Sequence, residues 1–334
     1  MDKTILLAHG SGGKLSHELL EKNLLPPFSN PLLDKLDDSA VFEFSGRLAF
    51  TTDSYVVNPI FFPGGDIGKL AVCGTVNDLA MSGAKPLYLS VSLVIEEGLL
   101  IEELERIIKS IKAATKEAEI TIVTGDTKVV NRGNADKLFI NTSGLGIIPP
   151  QLDISGANAR VSDKIILSGN LGDHGIAVMS QREGLKFSTP IKSDCAPLNK
   201  LVSQMLEASS QIHCLRDPTR GGLATTLNEL AKQSNVGITI EEEKVPAAEA
   251  VRAACELLGF DPLYIANEGK LVAIVDSAHA ESVLAKMKQN RYGTNASIIG
   301  EVTSDHPGRV IMKTRLGASR IIDMLSGELL PRIC

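Results

Sequence analysis

Four carboxylates stand at positions that a purely structural role explains poorly: Asp38, Asp53, Asp78 and Asp126. Asp78 is the clearest case, because it is the only charged residue between Lys69 and Lys85, in a stretch with a helical pattern. A helix that is apolar nearly all round is buried on several sides, and a lone carboxylate inside it must be paired or bind a metal.

The other three carboxylates flank predicted strands. Asp126 follows a predicted strand at 120–124, and ligands cluster at the C-terminal ends of such strands. Hard oxygen ligands that converge from separate elements suit Mg²⁺, which bridges nucleotide phosphates. Asp37, Asp38 and Asp53 fit caps or turns about equally well, so both interpretations stay open for them.

The chain ends on a cysteine, Cys334, which contributes nothing to a predicted core. Beyond Ser326-Gly327 an extended tail can span roughly 25–30 Å, and Pro331 keeps it from joining a helix. We expect a thiol that is mobile and free from packing, loaded in one place and processed in another. The α-carboxylate should raise its pKa, and Arg332 should partly offset this.

Two glycine-rich segments could bind phosphate. The first contains Gly10, Gly12, Gly13 and Lys14, where glycines let backbone N–H groups approach an anion and lysine adds a charge. It lacks the spacing of a Walker A loop, and a flexible N-terminal segment is the alternative. The second, 169–175, is either a strand-to-helix turn or a phosphate or partner contact, and its His174 favours a structural hydrogen bond.

Asp217 precedes a predicted helix, within Arg216-Asp217-Pro218-Thr219-Arg220-Gly221-Gly222. The two arginines and the glycine pair fit an anion site at a helix N-terminus, while Asp217 or Thr219 could simply cap that helix. Glu268 lies in a segment, 267–270, that reads by itself as a turn.

Composition limits the class of protein. A chain of 334 residues with 43% hydrophobic residues should hold about two domains. A net charge of −6 argues against nucleic-acid binding. Five scattered cysteines form no disulfide or zinc pattern, and no apolar run reaches membrane-spanning length, so we expect a reducing cytoplasm and four structural cysteines besides Cys334.

Hydrophobic periodicity predicts an α/β protein with two domains and a tail. A hairpin is predicted with strands at 41–44 and 48–50 around Ser45-Gly46, followed by a helix at 66–82. Pro149-Pro150 and the polar segment after it indicate a boundary, which gives domains at 1–155 and 156–322 and a flexible tail at 323–334.

The order of these motifs resembles the AIR synthetase/selenophosphate synthetase superfamily, whose fold is called PurM-like, and within it the hydrogenase-maturation carbamoyl dehydratases. The motifs that carry the resemblance are 8–13, 37–40, 52–54, 77–84, 124–128, 172–175, 216–222 and 331–334. They span nearly the whole chain, and their order together with the terminal cysteine is far more specific than any one of them.

The resemblance implies an N-terminal ATP-binding domain that forms a homodimer, and a C-terminal α/β domain. It implies ATP and Mg²⁺ as cofactors, with the ion held by Asp38, Asp53, Asp78, Asp126 and Asp217. The nucleotide would be bound by Gly10, Gly12, Gly13, Lys14, Asp53, Asn77, Asp78, Asp126 and Asp217. Lys128 would be the cation near the carbamoyl oxygen or phosphate, Glu268 the base, and Cys334 the substrate carrier.

The resemblance also implies a pathway. A HypF-type carbamoyltransferase loads Cys334, ATP drives dehydration of the carbamoyl group to a thiocyanate, and the cyano group passes to iron held by a HypC–HypD-type complex, for the [NiFe] hydrogenase. The nearest rival is selenophosphate synthetase, which usually has Cys or selenocysteine in its N-terminal glycine-rich loop, where this chain has Ser11. Another kinase or synthetase of the superfamily, or a metal-binding maturation scaffold that uses Cys334 as a ligand, is the remaining alternative.

Overall fold

The N-terminal half is a four-stranded sheet with helices on one face, in a computed structural model that describes residues 4–10, 14–36, 39–185, 190–325, 330 and 332–334. Its helices and strands are α1 (Lys14–Leu19), β1 (Arg47–Tyr55), β2 (Phe61–Phe62), β3 (Gly65–Asp66), α2 (Ile67–Met81), β4 (Lys85–Glu96), α3 (Ile101–Ala118), β5 (Thr121–Val130) and β6 (Leu138–Ile148). The strand order is β1-β6-β4-β5, with only β4 and β5 parallel among the described pairs.

Helix α2 is the central element of this half. Asp66 caps its start, since its Oδ1 accepts from the N–H groups of Gly68 at 2.9 Å and Lys69 at 3.1 Å. Every α2 residue is buried except Lys69 and Asp78, which confirms the prediction of a helix enclosed on several sides. Helix α3 instead has one buried apolar stripe and one polar face, as the helical periodicity requires.

The second face of this sheet has no covering helix in the described part of the chain. Strand β1 alternates between the two faces, so Leu48, Phe50 and Thr52 point away from α2. Phe50 is 71% exposed and Leu48 45% exposed. Large apolar side chains are therefore left open to solvent across a sheet face of one chain.

The C-terminal half is built on a seven-stranded, mostly antiparallel sheet of order β13-β12-β9-β11-β7-β10-β8. Its elements are β7 (Lys164–Leu167), α4 (Asp173–Glu183), α5 (Asn199–Ala208), β8 (Ile212–Arg216), α6 (Gly222–Ser234), β9 (Gly237–Glu241), α7 (Glu249–Leu258), β10 (Val272–Val275), α8 (Ala280–Lys288), β11 (Ser297–Thr303), β12 (Val310–Lys313) and β13 (Ser319–Ile322). None of the helices that the structure describes combines the length and apolar character needed to span a bilayer.

Three sequence predictions about these elements are wrong. Residues 41–44 are not a strand, and β1 pairs antiparallel with β6 rather than with a hairpin partner. Strand β5 continues to Val130, so Asp126 lies inside it rather than after its end. Strand β8 was not predicted, because its partner β10 lies far away in sequence, and the short strand β13, which forms a hairpin with β12, was not predicted either.

Candidate active site at the docked C-terminus

Two carboxylates meet between β1 and α2. Alternation along β1 turns Thr51, Asp53 and Tyr55 toward the helix, where Asp78 projects from its last turns. The Thr51 hydroxyl donates to Asp78 Oδ2 at 2.8 Å, and the Tyr55 hydroxyl donates to Asp53 Oδ2 at 3.2 Å. Below them, Thr75 on α2 bonds to the Tyr55 hydroxyl at 3.4 Å, which fixes that ring.

A third carboxylate, Asp217, joins them from the loop between β8 and α6. Burial and the negative charges of Asp217 and Asp53 raise the pKa of Asp78 to about 7. Burial and the charge of Asp53 likewise raise the pKa of Asp217 to about 6, against the opposing Arg216. The structure therefore brings Asp53, Asp78 and Asp217 into one cluster, where three of the carboxylates that the resemblance implied as ligands act on one another.

Glu268 enters the same cluster from the segment before β10. It is only 4% exposed, and its Oε1 has no hydrogen-bond partner among the residues that the structure describes. Burial raises the pKa of Glu268 well above its ordinary value, and neighbouring negative groups, including Asp217 and Asp53, raise it further. A buried, unpartnered carboxyl oxygen of this kind is suited to exchange a proton with a bound substrate.

The C-terminal residues dock onto the segment after β1 like an added strand. The Val56 N–H donates to the Cys334 carbonyl at 3.2 Å, and the Asn58 N–H donates to the Arg332 carbonyl at 3.2 Å. His174 bonds to the Ile333 carbonyl at 2.8 Å, and Ile333 is 3% exposed in the core of the N-terminal half. The expectation of a tail end free from packing is therefore wrong for the state that the structure describes.

The Cys334 thiol lies against the carboxylate cluster. Burial, together with the charges of Glu268 and Asp53 and against the opposing charge of Arg220, raises the pKa of this thiol to about 12. Arg220 takes the place that the sequence gave to Arg332, because Arg332 donates to the Val56 carbonyl at 3.1–3.2 Å and pairs with Asp136. The docked thiol is thus held in its protonated form.

Asn77 bonds to backbone groups of the C-terminal half in this arrangement. Its side chain is buried, with Oδ1 accepting from the Leu198 N–H at 2.8 Å and Nδ2 donating to the carbonyls of Ala196 at 3.1 Å and Glu268 at 3.4 Å. Both ends of the Asn77 amide bond to backbone groups, and its predicted role in cofactor binding stays a prediction. It holds the Glu268 segment against α2.

Asp126 and Lys128 are separated from the cluster within one chain. Strand register aligns Asp53 with Gly125 across the four-stranded sheet, so the next residue, Asp126, points to the opposite, uncovered face. Three strand spacings, about 14 Å, also lie between them. Asp126 and Lys128 form an exposed pair with 3.7 Å between Oδ1 and Nζ, and the prediction that all the carboxylates converge is wrong for Asp126.

Gly10, which begins the glycine-rich N-terminal segment, borders a separate cavity of about 480 Å³. A side chain at Gly10 would collide with the Val129 backbone nitrogen at 2.6 Å, so glycine is what lets this segment approach β5. Asp126, Lys128 and apolar residues such as Phe28 complete the walls. Of the other predicted residues, Lys14 begins α1, and Gly12, Gly13 and Asp38 lie outside the described residues.

The carboxylate cluster suits a cation, although not a cage made of protein alone. Among the described residues, no three His, Cys, Asp or Glu side chains are arranged to hold a metal ion by themselves. Mg²⁺ is usually held by one or two carboxylates together with substrate phosphates and water. Burial first, and then the neighbouring carboxylates, raise the pKa values of Asp78 and Asp217, and a bound cation would favour their charged forms.

Sequence reasoning missed the residues that support Glu268. Asp194 is buried and accepts from the N–H groups of Glu268 at 3.1 Å and Gly269 at 3.2 Å, and from Lys270 Nζ at 2.9 Å. Asp194 and these partners are more than 70 residues apart in sequence, so no local sequence pattern indicated that they meet. The one available signal was the lysine two residues after Glu268.

The chain matches known proteins along nearly its whole length. The models for the N-terminal and C-terminal domains of AIR synthase related proteins match residues 36–148 and 160–313. The chain is 52% identical to the carbamoyl dehydratase HypE of Azotobacter vinelandii over 332 residues, which covers 99% of this chain and 97% of that protein. The chain belongs to the HypE family.

Two solved HypE structures extend the comparison. A crystal structure of the hydrogenase maturation protein HypE in complex with ATP superposes with a TM-score of 0.96 at 51% identity, covering 99% of this chain and all (100%) of that one. A crystal structure of a HypE–HypF complex gives a TM-score of 0.82 at 49% identity, covering 94% and 100%. The two-domain PurM-like fold is therefore confirmed.

Proposed function

We infer that this HypE protein is an ATP-dependent carbamoyl dehydratase, which converts a carbamoyl group on Cys334 to a thiocyanate and so supplies the cyanide ligand for the iron of [NiFe] hydrogenase. The observation that carries this inference is the docked Cys334 thiol beside Glu268 and Asp53. A carbamoyl group attached to that sulfur would lie next to Glu268, a proton acceptor, and the acidic cluster.

Glu268 is the proposed base. Dehydration removes two protons from the carbamoyl nitrogen, and a base works best when its pKa approaches the working pH. Burial already moves the pKa of Glu268 in that direction, and its unpartnered Oε1 can accept from the carbamoyl N–H. Asn77 and Asp194 hold its backbone, which keeps the carboxyl group aligned with the sulfur.

ATP makes the carbamoyl oxygen a leaving group, since transfer of the γ-phosphoryl to that oxygen lets it depart as phosphate while the nitrile forms. Asp53, Asp78 and Asp217 would hold Mg²⁺, which neutralises the charge that develops on the phosphates. Arg220 supplies a positive charge that acts on the thiol.

We propose that the nucleotide lies between the carboxylate cluster and the cavity of about 480 Å³ that Gly10, Asp126 and Lys128 border. Gly12, Gly13 and Lys14 follow directly in sequence and would approach the phosphates. Lys128 stays the proposed second cation, acting on the phosphoryl group. Because Asp126 and Lys128 lie on the uncovered sheet face, a second chain on that face would share this site.

A homodimer through the N-terminal half is proposed for the same reason. The uncovered face presents Leu48 and the 71% exposed Phe50 on a regular sheet, and a second copy would bury both. Symmetric pairs of chains are the commonest oligomers, and a sheet face can pack on its own copy.

The proposed partners are those of the maturation pathway. A HypF-type carbamoyltransferase would load Cys334, as the solved HypE–HypF complex suggests for its own chains. A HypC–HypD-type complex would accept the cyano group on its iron. A reducing cytoplasm is the proposed compartment, because the Cys334 thiol must stay reduced to be loaded.

Product analysis tests this function. Chromatography after incubation of the carbamoyl-loaded protein with Mg-ATP should give ADP and phosphate, one of each per thiocyanate. The Cys334→Ala variant should bind Mg-ATP normally and produce no thiocyanate. AMP and pyrophosphate as products, or nitrile formation without ATP, would contradict the mechanism.

A further inference from the structure

His174 connects the C-terminal domain directly to the substrate-bearing tail. It lies in the first turn of α4, fully buried, with its ring edge-on to Phe62 at 5.4 Å between centroids. Its Nε2 is 2.8 Å from the Ile333 carbonyl oxygen, and its Nδ1 is 2.8 Å from the Ser193 hydroxyl. Ile333 immediately precedes the reactive cysteine, so this contact fixes the position of the backbone that leads into Cys334.

The direction of these hydrogen bonds follows from the groups involved. A carbonyl oxygen can only accept, so Nε2 must carry the hydrogen and donate to Ile333. Burial lowers the pKa of His174, which favours the neutral ring, whose Nδ1 then accepts from the Ser193 hydroxyl. The Ser193 oxygen in turn accepts from the Cys195 N–H at 3.1 Å. The tautomer of His174 with hydrogen on Nε2 is therefore fixed by a series of hydrogen bonds that begins at the Cys195 N–H.

The same short segment also holds the proposed base. Asp194, between Ser193 and Cys195, accepts from the N–H groups of Glu268 and Gly269. Residues 193–195 thus fix two things at once: the backbone of Glu268 through Asp194, and the tail carbonyl through Ser193 and His174. Glu268 and the Cys334 thiol are therefore both positioned by residues 193–195, although they come from distant parts of the chain.

We propose that His174, oriented by Ser193, is a positioning residue that holds the tail in register for dehydration, so that a group on Cys334 meets Glu268. This role rests on the proposed dehydratase function only for its chemical consequence. The physical claim, that the His174 Nε2–H keeps the tail docked, stands by itself. Losing one buried hydrogen bond and leaving the Ile333 carbonyl unpartnered should weaken docking about 10- to 100-fold.

Three substitutions separate the hydrogen bond from the bulk of the ring. His174→Gln places an amide nitrogen close to the Nε2 position and should keep the tail docked. His174→Asn can replace only Nδ1, and His174→Phe fills the space with no donor, so both should release the tail. The matched control is His213→Phe, which removes another buried histidine of the same domain, bonded to Asp163 at 2.8 Å and not to the tail.

The first readout is alkylation of Cys334 by N-ethylmaleimide, followed by mass spectrometry of the C-terminal peptide. The rate should rise about 10- to 100-fold in His174→Phe and His174→Asn and stay within about threefold of wild type in His174→Gln and His213→Phe. The second readout is single-turnover dehydration of the loaded protein, which should fall in the same variants while Mg-ATP affinity is unchanged.

Each outcome decides the proposal. Equal alkylation of wild type and His174→Asn, or release of the tail in His174→Gln or His213→Phe, would overturn it. If His174→Phe does not fold, the Gln and Asn pair carries the test. If the alkylation pattern appears but the loaded wild-type protein fails to lose water, the positioning role survives and the dehydratase function is what fails.

Discussion

Removing the charge of Asp194 should destabilise this protein more than any surface ion-pair change. The Asp194–Lys270 pair is nearly inaccessible, with 3% and 12% of the two side chains exposed and 2.9 Å between Oδ2 and Nζ. Asp194 also accepts two backbone N–H bonds. In Asp194→Asn, Lys270 keeps its charge but retains only the Gly269 carbonyl at 3.3 Å.

The expected magnitude follows from this geometry. Breaking a buried ion pair by neutralising one partner costs about 3–5 kcal/mol, because the other charge stays buried. At about 2 °C per kcal/mol for a chain of this size, Tm should fall by about 6–10 °C. The double variant Asp194→Asn/Lys270→Met should recover much of this loss, since no uncompensated charge remains.

The pH dependence has a definite sign. Burial pushes the pKa of Asp194 up, but Lys270 outweighs it and holds the pKa below its ordinary value. The stabilisation is therefore fully present above the ordinary aspartate pKa of about 3.9 and is lost only as the pH falls through the lower folded value. The Tm difference between wild type and Asp194→Asn should be the same at pH 7.5 and pH 5.5.

Thermal unfolding followed by circular dichroism measures these differences. The control is Lys200→Met, which breaks an exposed pair with Glu119 at 2.6 Å and should change stability by less than about 1 kcal/mol. A shift in Asp194→Asn no larger than in this control, or no recovery in the double variant, would refute the buried-pair account.

Three further predictions concern the site and its assembly. Glu268→Gln should slow dehydration about 10²- to 10⁴-fold, because it removes the proposed base. The same variant should have a higher Tm than wild type, by a margin that grows as the pH rises above the ordinary glutamate pKa of about 4.3, because burial in the folded state opposes ionisation of Glu268. A Tm difference that does not widen with pH contradicts this. Asp78→Asn should weaken Mg-ATP binding at least about tenfold by calorimetry with the fold intact, whereas Asp305→Asn should not, and equal affinities would remove Asp78 from the site. Phe50→Asp should convert the proposed dimer to monomers in light scattering, while Leu316→Asp, at a position 96% exposed in the other half, should leave the mass unchanged.

Elements with local start and stop signals could be predicted from the sequence. Helix α2 was predicted to within one residue at each end, because Asp66 caps it and Gly83 and Pro86 prevent its continuation. The hairpin failed because Ser45-Gly46 is a convincing local turn signal, whereas the partner that β1 chooses, β6, starts more than 80 residues later. The domain boundary near residue 155 stays a prediction.

The residues of the candidate site also differ in whether the sequence alone could identify them. Asp78 could be identified because a single charge in an apolar helix needs a partner, and Cys334 because of its position in the chain. Asp194 could not, since its role comes from tertiary contacts with the Glu268 segment, and for His174 the sequence indicated a structural hydrogen bond but not its partner, Ile333. The convergence of Asp126 failed because strand β5 runs on past it, which fixes the face on which its side chain lies.

The most direct test of the central claim follows the carbamoyl oxygen. Cys334 is loaded by the carbamoyl-donating partner with an ¹⁸O-labelled carbamoyl group, then mixed with Mg-ATP, and both the C-terminal peptide and the released phosphate are analysed by mass spectrometry. The account predicts that the peptide loses the mass of one labelled water and that the ¹⁸O appears in inorganic phosphate. An adduct on a different cysteine, a peptide that keeps its label with ATP present, or label released as water would contradict it.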